Sequence, residues 1–130
     1  MGMPAAKKGD QIMAADIHVV NIPSPSGTVP TPIPHPFVGI IDGNLSQDVK
    51  IMGKPAATVD STASNKPPHI PQGGPFQKNH SNKATIKMGS ATVKINGKMA
   101  ARTGDTAMTC NDPSDMPVGT VLATGTVFIG

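Results

Sequence analysis

The sequence predicts an all-β fold of short hairpins arranged around a pseudo-threefold axis. Two complete copies of a nine-residue pattern occupy residues 49–57 (VKIMGKPAA) and 93–101 (VKINGKMAA), and a third is split between residues 127–130 and 2–6. A repeat whose last copy is shared by the two termini predicts a ring of three units that closes where the chain ends meet. The 14 Gly and 14 Pro among 130 residues favour many short strands joined by tight turns over long helices.

Each copy of the pattern predicts a strand followed by a sharp turn. Val and Ile alternate with other residues, which is the period-two pattern of a half-buried strand. A glycine follows each strand, and the pair Asn96-Gly97 is a strong hairpin signal. The Ala-Ala pair after the turn has little bulk, as expected where backbones crowd together at an axis. We therefore expect one domain over residues 1–130, with repeat cores near 2–10 together with 125–130, 49–61 and 93–105.

The segments between the repeats are rich in Pro and Gly and are expected to be loops. Residues 22–36 contain six prolines, so this segment cannot pair as a central strand and is expected to run extended over the surface. No apolar run is long enough to span a membrane, and no secretory signal is expected at the N-terminus.

The charge of the chain argues against nucleic-acid binding. The net charge is +3, and its basic side chains are ten lysines and one arginine. Base readout and stacking favour arginine and aromatic side chains, and the chain has one Arg, three Phe, no Trp and no Tyr. A solvated surface dotted with lysine is the better interpretation.

Three potential metal ligands follow the repeats at similar distances. His18 and His69 each lie 12 residues after their alanine pair, and Cys110 lies nine residues after its pair. Because equivalent positions of a threefold ring lie at matching heights, these side chains are expected to converge on the axis. Imidazole and thiolate are zinc ligands, and a closed site of four such ligands is structural rather than catalytic. Such an ion would also stabilise a small core, because binding energy contributes to folding when the site exists only in the fold.

The fourth ligand would be His35 or His80, and the spacing does not choose between them. His35 has proline on both sides, which restricts the backbone and favours a fixed ligand. His80 lies in the polar segment 77–83, a setting that favours an exposed side chain. We therefore expect His35 to be the fourth ligand. The alternative is a chance scatter of one buried thiol and four surface or turn histidines.

The recurring unit Gly-x-Pro-Ala-Ala-x-x-Gly-Asp, preceded by Val-x-Ile, resembles the PAAR-repeat family, whose members form the spike tip of type VI secretion and related contractile injection systems. The likeness runs from Pro4 to Gly130, and its three copies read Pro-Ala-Ala-Lys, Pro-Ala-Ala-Thr and Met-Ala-Ala-Arg. The largest departure is residues 58–61, where the middle copy reads Thr-Val-Asp-Ser.

The resemblance implies a small cone with a three-sided base and a metal ion near its apex. Family members hold zinc there with three histidines and one cysteine, which correspond in this chain to His18, His35, His69 and Cys110. The sequence does not choose between zinc and iron. The resemblance also implies that the base sits on a trimeric spike protein of the valine-glycine-repeat type, one tip per trimer. Some members carry a toxin domain, and none is expected in a chain that stops at Gly130.

The functional hypothesis is a non-enzymatic, metal-stabilised tip that sharpens the spike, touches the target membrane transiently and aids puncture and delivery of effector proteins. We expect it in the bacterial cytoplasm before the machine fires and outside the cell afterwards. The alternative is a small metal-binding adaptor that attaches a separate effector to the spike without piercing. A metallo-hydrolase would need an open metal position and a base such as Asp10 or Asp105. Both aspartates occupy repeat-equivalent turns, where Asp commonly hydrogen-bonds nearby backbone.

Overall fold

The structure is a computed structural model that describes residues 2–65, 68–71, 73–112 and 114–130. These residues form strands and turns and no helix, and therefore no helix long and apolar enough to span a membrane. The strands are β1 (Met3–Pro4), β2 (Gln11–Ser24), β3 (Gly27–Gly43), β4 (Lys50–Ile51), β5 (Lys54–Pro55), β6 (Thr62–Asn65), β7 (Lys83–Ile86), β8 (Lys94–Ile95), β9 (Lys98–Met99), β10 (Thr106–Thr109), β11 (Met116–Leu122) and β12 (Phe128–Ile129). The predicted all-β class is confirmed.

The strands form three similar units. Each unit consists of a short hairpin with two residues in each strand, an alanine pair and a longer hairpin. The short hairpins are β12–β1, β4–β5 and β8–β9, and the longer ones are β2–β3, β6–β7 and β10–β11. The three longer hairpins close into one six-stranded barrel in the order β10-β11-β2-β3-β6-β7. The first short hairpin joins the chain ends, since Met3 pairs with Ile129 and Pro4 with Phe128. The closure predicted from the split repeat is therefore confirmed.

A ring of three backbone hydrogen bonds joins the units at the axis. Ala6 N–H donates to the carbonyl of Ala101, Ala101 N–H to that of Ala57, and Ala57 N–H to that of Ala6, at 2.9, 3.0 and 3.0 Å. All three side chains are completely buried. A larger side chain would hold the three backbones apart, so this position requires a small residue in every unit.

The core has two layers that meet at the alanine pairs. One layer contains Ile51, Ile95 and Ile129 from the short hairpins, together with the first alanine of each pair. The other contains the second alanine of each pair and the inward side chains of the barrel, among them Phe37 and Cys110. The short hairpins therefore form one end of the molecule, and the barrel leads from them towards Cys110.

The turn after each alanine pair is the same in all three units despite the different sequence of the middle copy. Asp10, Ser61 and Asp105 each accept a hydrogen bond from the backbone N–H three residues earlier, at 3.0, 3.0 and 2.7 Å. The two aspartates are thus used as turn residues, as predicted. The residue directly before each of these three acceptors has a positive φ. It is Gly9 (+93°) and Gly104 (+89°) in two units, and Asp60 (+79°) in the middle unit.

The proline-rich segment 22–36 is extended, but it is paired on one side and is not a loop. Strand β2 pairs with β3 along its whole length, from Gln11 opposite Ile40 to Ser24 opposite Gly27. Residues Ile17, Val19 and Asn21 of β2 direct their backbone groups away from β3, towards residues 75–77 and 111–112.

The prolines opposite these β2 residues consequently turn their own backbone away from β2. Pro30, Pro32 and Pro34 are the partners of Asn21, Val19 and Ile17, so their missing N–H groups lie on the outer edge of β3. An edge without N–H donors cannot pair with another strand, which protects this long hairpin from edge-to-edge association.

Substitution of Ala57 by Val tests the crowding at the axis. We expect Ala57→Val to lower the free energy of unfolding by about 1–3 kcal/mol, because the added methyl groups overpack a closed ring of backbones. Ala15→Val is the matched control, since Ala15 is exposed on β2. Chemical denaturation of both variants measures the difference, and equal stabilities would contradict the axial role of Ala57.

Substitution of Asp60 by Gly tests the strain in the middle turn. We expect Asp60→Gly to raise the free energy of unfolding by about 0.5–1 kcal/mol, because only Gly adopts a φ of +79° without cost. The lost ion pair with Lys98 contributes little, as both side chains are 51% exposed. The reverse change, Gly104→Ala, should cost about 1 kcal/mol. Thermal unfolding of both variants measures these effects, and a destabilised Asp60→Gly would show that the turn is not strained.

Candidate metal centre

The three repeat-matched residues lie together at the end of the barrel remote from the short hairpins. His18 lies on β2, His69 follows β6, and Cys110 follows β10, so each unit contributes one of them. His18 is completely buried, Cys110 is 3% exposed, and the side chain of His69 is 2% exposed. The ring centroids of His18 and His69 are 4.8 Å apart, and the Sγ of Cys110 lies 3.9 Å from Nε2 of His18.

A buried carboxylate completes this cluster. Asp16 lies two residues before His18 and faces the same side of β2. Its Oδ2 lies 3.0 Å from Nε2 of His69 and 3.6 Å from Sγ of Cys110. One donor atom from each of Asp16, His18, His69 and Cys110 lies within 4.8 Å of the other three. We call these four residues the axial cluster.

His35 lies beside the axial cluster, and one of its ring nitrogens is available to bind a metal ion. Its ring centroid is 5.3 Å from that of His18 and 5.5 Å from that of His69, so the three imidazoles form a nearly equilateral triangle. Nδ1 lies 2.9 Å from the carbonyl of Ile33, whereas Nε2 is buried and has no hydrogen-bond partner among the described residues. Donation from Nδ1 to a backbone carbonyl fixes the tautomer that leaves Nε2 free as a metal ligand.

His80 is buried, and the expectation of an exposed side chain was wrong. Its side chain is 2% exposed, and its ring lies on that of His18 with a centroid distance of 3.5 Å. Nδ1 of His80 lies 3.7 Å from Oδ1 of Asp112, a side chain that is 4% exposed. The polar segment around His80 turns its hydrophilic side chains outwards but places this imidazole against the barrel end. We call His18, His80 and Asp112 the lateral cluster.

The segment after β10 docks on β2 and thereby positions Cys110. Asn111 Oδ1 accepts a hydrogen bond from the Ile17 N–H at 2.6 Å, and Asp112 Oδ2 accepts one from the Val19 N–H at 2.7 Å. The Asp112 N–H in turn donates to the Ile17 carbonyl at 2.9 Å. These bonds hold residues 111–112 against β2, so the thiol of Cys110 lies next to His18.

Phe76 covers the histidine rings. The segment 75–77 pairs with the outer edge of β2, where the Asn21 N–H donates to Pro75 and the Gln77 N–H donates to Val19. This places the Phe76 ring 5.6 Å from His18, 5.4 Å from His35 and 4.8 Å from His80, always edge-on. The aromatic side chain limits the access of water to the cluster.

Burial sets the protonation of the site. Burial and the neighbouring His80 and His69 rings lower the pKa of His18 to about 4, and burial also lowers the pKa of His80. Burial and the Asp16 carboxylate raise the pKa of the Cys110 thiol to about 11. At neutral pH His18 and His80 are therefore unprotonated, as ligands must be, whereas the thiol would release its proton on binding a metal ion.

The separations of the donor atoms fit a tetrahedral ion. With the usual Zn–N and Zn–S bond lengths, two ligands of one zinc ion lie about 3.3–3.6 Å apart. The distances of 3.9 Å from Cys110 to His18 and 3.6 Å from Cys110 to Asp16 are close to these values. The four buried side-chain atoms without a hydrogen-bond partner in the described residues all lie in this region: His18 Nδ1, His35 Nε2, His80 Nε2 and Asp112 Oδ1. Buried polar atoms are rarely left unpaired, so their concentration at one place fits a metal-binding function.

Sequence reasoning predicted the meeting of His18, His69 and Cys110 and named His80 only as an alternative with an exposed side chain, and it missed Asp16 and Asp112. Asp16 could have been found from its position two residues before His18 on a strand, which puts both side chains on one face. No local pattern indicates that His80 folds back on the barrel, because its segment is polar throughout.

Comparison with known proteins gives one family. No curated protein matches the chain. The model of the PAAR motif matches residues 21–113, which is well over half of the chain and includes His35, His69 and Cys110. His18 and the hairpin formed by the two termini lie outside the matched region. Together with the fold and the convergent cluster, this match shows that the chain belongs to the PAAR-motif family.

Proposed function

We propose that this protein is the metal-stabilised tip of a contractile injection machine of the type VI secretion class. The PAAR motif itself carries a spike-tip-associated role in type VI secretion at the level of the family. The finer proposal is that the protein caps a trimeric spike of the valine-glycine-repeat type, sharpens it for puncture of a target membrane and aids effector delivery. It is made in the bacterial cytoplasm and leaves through the machine, and its function is structural rather than enzymatic.

The observation that carries this proposal is the threefold arrangement of a single chain. One chain with three equivalent sides can offer matched contacts to each subunit of a trimer, which a chain without internal symmetry cannot do. The end formed by the short hairpins exposes apolar side chains that a partner would cover: Met3, Val49, Met52, Val127 and Phe128. The metal end and this docking end lie on opposite sides of the alanine ring, so the ion would stabilise the apex.

The proposed metal ligands are His18, His35, His69 and Cys110, with zinc or iron as the ion. His35 is preferred as the fourth ligand because its ring lies 5.3 Å from that of His18 and 5.5 Å from that of His69, with a buried Nε2 that has no partner among the described residues. The His80 ring instead stacks on that of His18 at 3.5 Å. Asp16 Oδ2 lies 3.0 Å from His69 Nε2, which leaves His69 Nδ1 to bind the ion in place of its contact with Asn65 Nδ2 at 3.2 Å. Asp16 is proposed to orient His69 and to offset the charge of the ion. When bound, the ion links the three units at the end of the barrel.

Removal of the thiol tests the metal centre. Cys110→Ser is expected to lower the metal content of the purified protein and its melting temperature, because thiolate is the strongest zinc ligand in the cluster. A chelator should lower the melting temperature of the wild type and leave that of Cys110→Ser almost unchanged. Elemental analysis and thermal unfolding measure both effects. A variant with unchanged metal and unchanged melting temperature would exclude Cys110 as a ligand.

A charged substitution in the short hairpins tests whether this end of the molecule binds the spike. Phe128→Asp is expected to weaken binding to the trimeric spike at least tenfold, because a charged side chain would have to be desolvated in the contact. Phe128 is 60% exposed, so the fold should tolerate the change. Ile70→Asp is the matched control, since Ile70 is 68% exposed and lies in the segment that contains His69.

Size-exclusion chromatography with light scattering gives the stoichiometry, for which we expect one tip to three spike chains. Equal weakening by both substitutions would show that binding does not use the short hairpins. A stable trimer of this protein alone, with no affinity for the spike, would overturn the proposed function.

A further inference from the structure

We propose that the lateral cluster of His18, His80 and Asp112 is a second metal site, which binds one divalent transition-metal ion such as Zn²⁺ or Co²⁺. One donor atom from each of the three residues lies within 4.8 Å of the other two. The site is separate from the axial cluster and shares with it only His18. It lies beneath the segment that contains His80.

The spacing of His80 and Asp112 fits two ligands of one ion better than it fits a direct bond between them. Nδ1 of His80 and Oδ1 of Asp112 are 3.7 Å apart, which is too long for a hydrogen bond. Two ligands of a tetrahedral zinc ion lie about 3.3–3.4 Å apart when one is nitrogen and the other oxygen. An ion between these atoms would therefore require only a small approach of the two side chains.

The unpaired atoms are the second, independent observation. His18 Nδ1 and Asp112 Oδ1 are both buried and have no hydrogen-bond partner among the described residues. The other carboxylate oxygen of Asp112 is bonded to the Val19 N–H, which fixes the carboxylate and leaves Oδ1 free. Leaving several buried polar atoms unpaired costs stability unless something satisfies them. An ion bound by His80 Nδ1, with a water molecule as its fourth ligand, would satisfy both of these atoms.

The donor set selects the class of ion. Two imidazoles and one carboxylate favour zinc, cobalt, nickel or copper over calcium and magnesium, which prefer oxygen ligands. Nε2 of His18 faces Cys110, so Nδ1 is the nitrogen left for the lateral cluster. With both clusters occupied, the His18 ring would bind an ion through each nitrogen and would release its N–H proton to solvent. The lateral site is therefore expected to bind more weakly and to bind last.

Titration of the full chain with Co²⁺ after removal of bound metal separates the two sites. Thiolate coordination gives a charge-transfer absorption, which a site of imidazole and carboxylate lacks. We expect this absorption to saturate at one ion per chain while calorimetry detects binding of a second ion. His80→Phe keeps an aromatic ring against His18 but removes its donors, and Asp112→Asn keeps an acceptor for the Val19 N–H. Both variants should bind one ion and retain the full thiolate absorption, which also reports that they are folded.

Three results would overturn the lateral site. If the wild type binds only one ion, as His80→Phe does, then His80 has only a packing role. Loss of the thiolate absorption in His80→Phe would instead make His80 a ligand of the axial cluster. A second ion that persists in both variants would have to bind elsewhere. None of these results bears on spike binding by the short hairpins, which the Phe128 experiment tests separately.

Discussion

The ring of hydrogen bonds between Ala6, Ala57 and Ala101 is the constraint on which the rest of the structure depends. Each alanine donates to one neighbour and accepts from the other, so the three units are fixed at one height around the axis. The ring closes only if every unit has a small residue there, which explains why the second residue of each pair is alanine in all three copies.

The hydrogen-bonded ring also explains why the candidate metal ligands come together. Because each unit leaves the ring in the same direction, equivalent positions on β2, β6 and β10 lead to the same end of the barrel. His18, His69 and Cys110 meet there although they are far apart in the sequence. The same arrangement leaves a surplus of ligands, with Asp16, His35, His80 and Asp112 packed around the first three. A surplus of buried imidazoles with unpaired ring nitrogens costs stability in the absence of an ion, and it would become useful if ions were bound.

The repeat made most of the fold predictable from the sequence. The Val-x-Ile pattern and the following glycine predicted the short hairpins, and the split copy predicted that the chain ends would meet, as they do where Met3 pairs with Ile129. The prolines of residues 22–36 were harder to interpret, because they exclude pairing on one edge of a strand and permit it on the other. Only the register of β2 and β3 shows that Pro30, Pro32 and Pro34 share the free edge.

Only the site residues that lie at matching offsets from the repeat could be predicted from the sequence. The offsets identified one candidate ligand per unit, but they did not indicate where the His80 side chain lies. The packing of His80 on His18 depends on the path of residues 73–82, which is set by tertiary contacts with β2 and not by local propensity. Asp16 was overlooked for a different reason, because a buried carboxylate is rare and only its partners explain it.

A crystal structure of the metal-loaded protein, with anomalous diffraction recorded on both sides of the metal absorption edge, tests the central claim most directly. The account predicts a metal-specific peak on the axis, within about 2.0–2.3 Å of a ring nitrogen of His18 and of the Cys110 sulfur. The claim would be contradicted by a metal-loaded crystal with no peak at this position, or with a peak bounded by residues of only one unit.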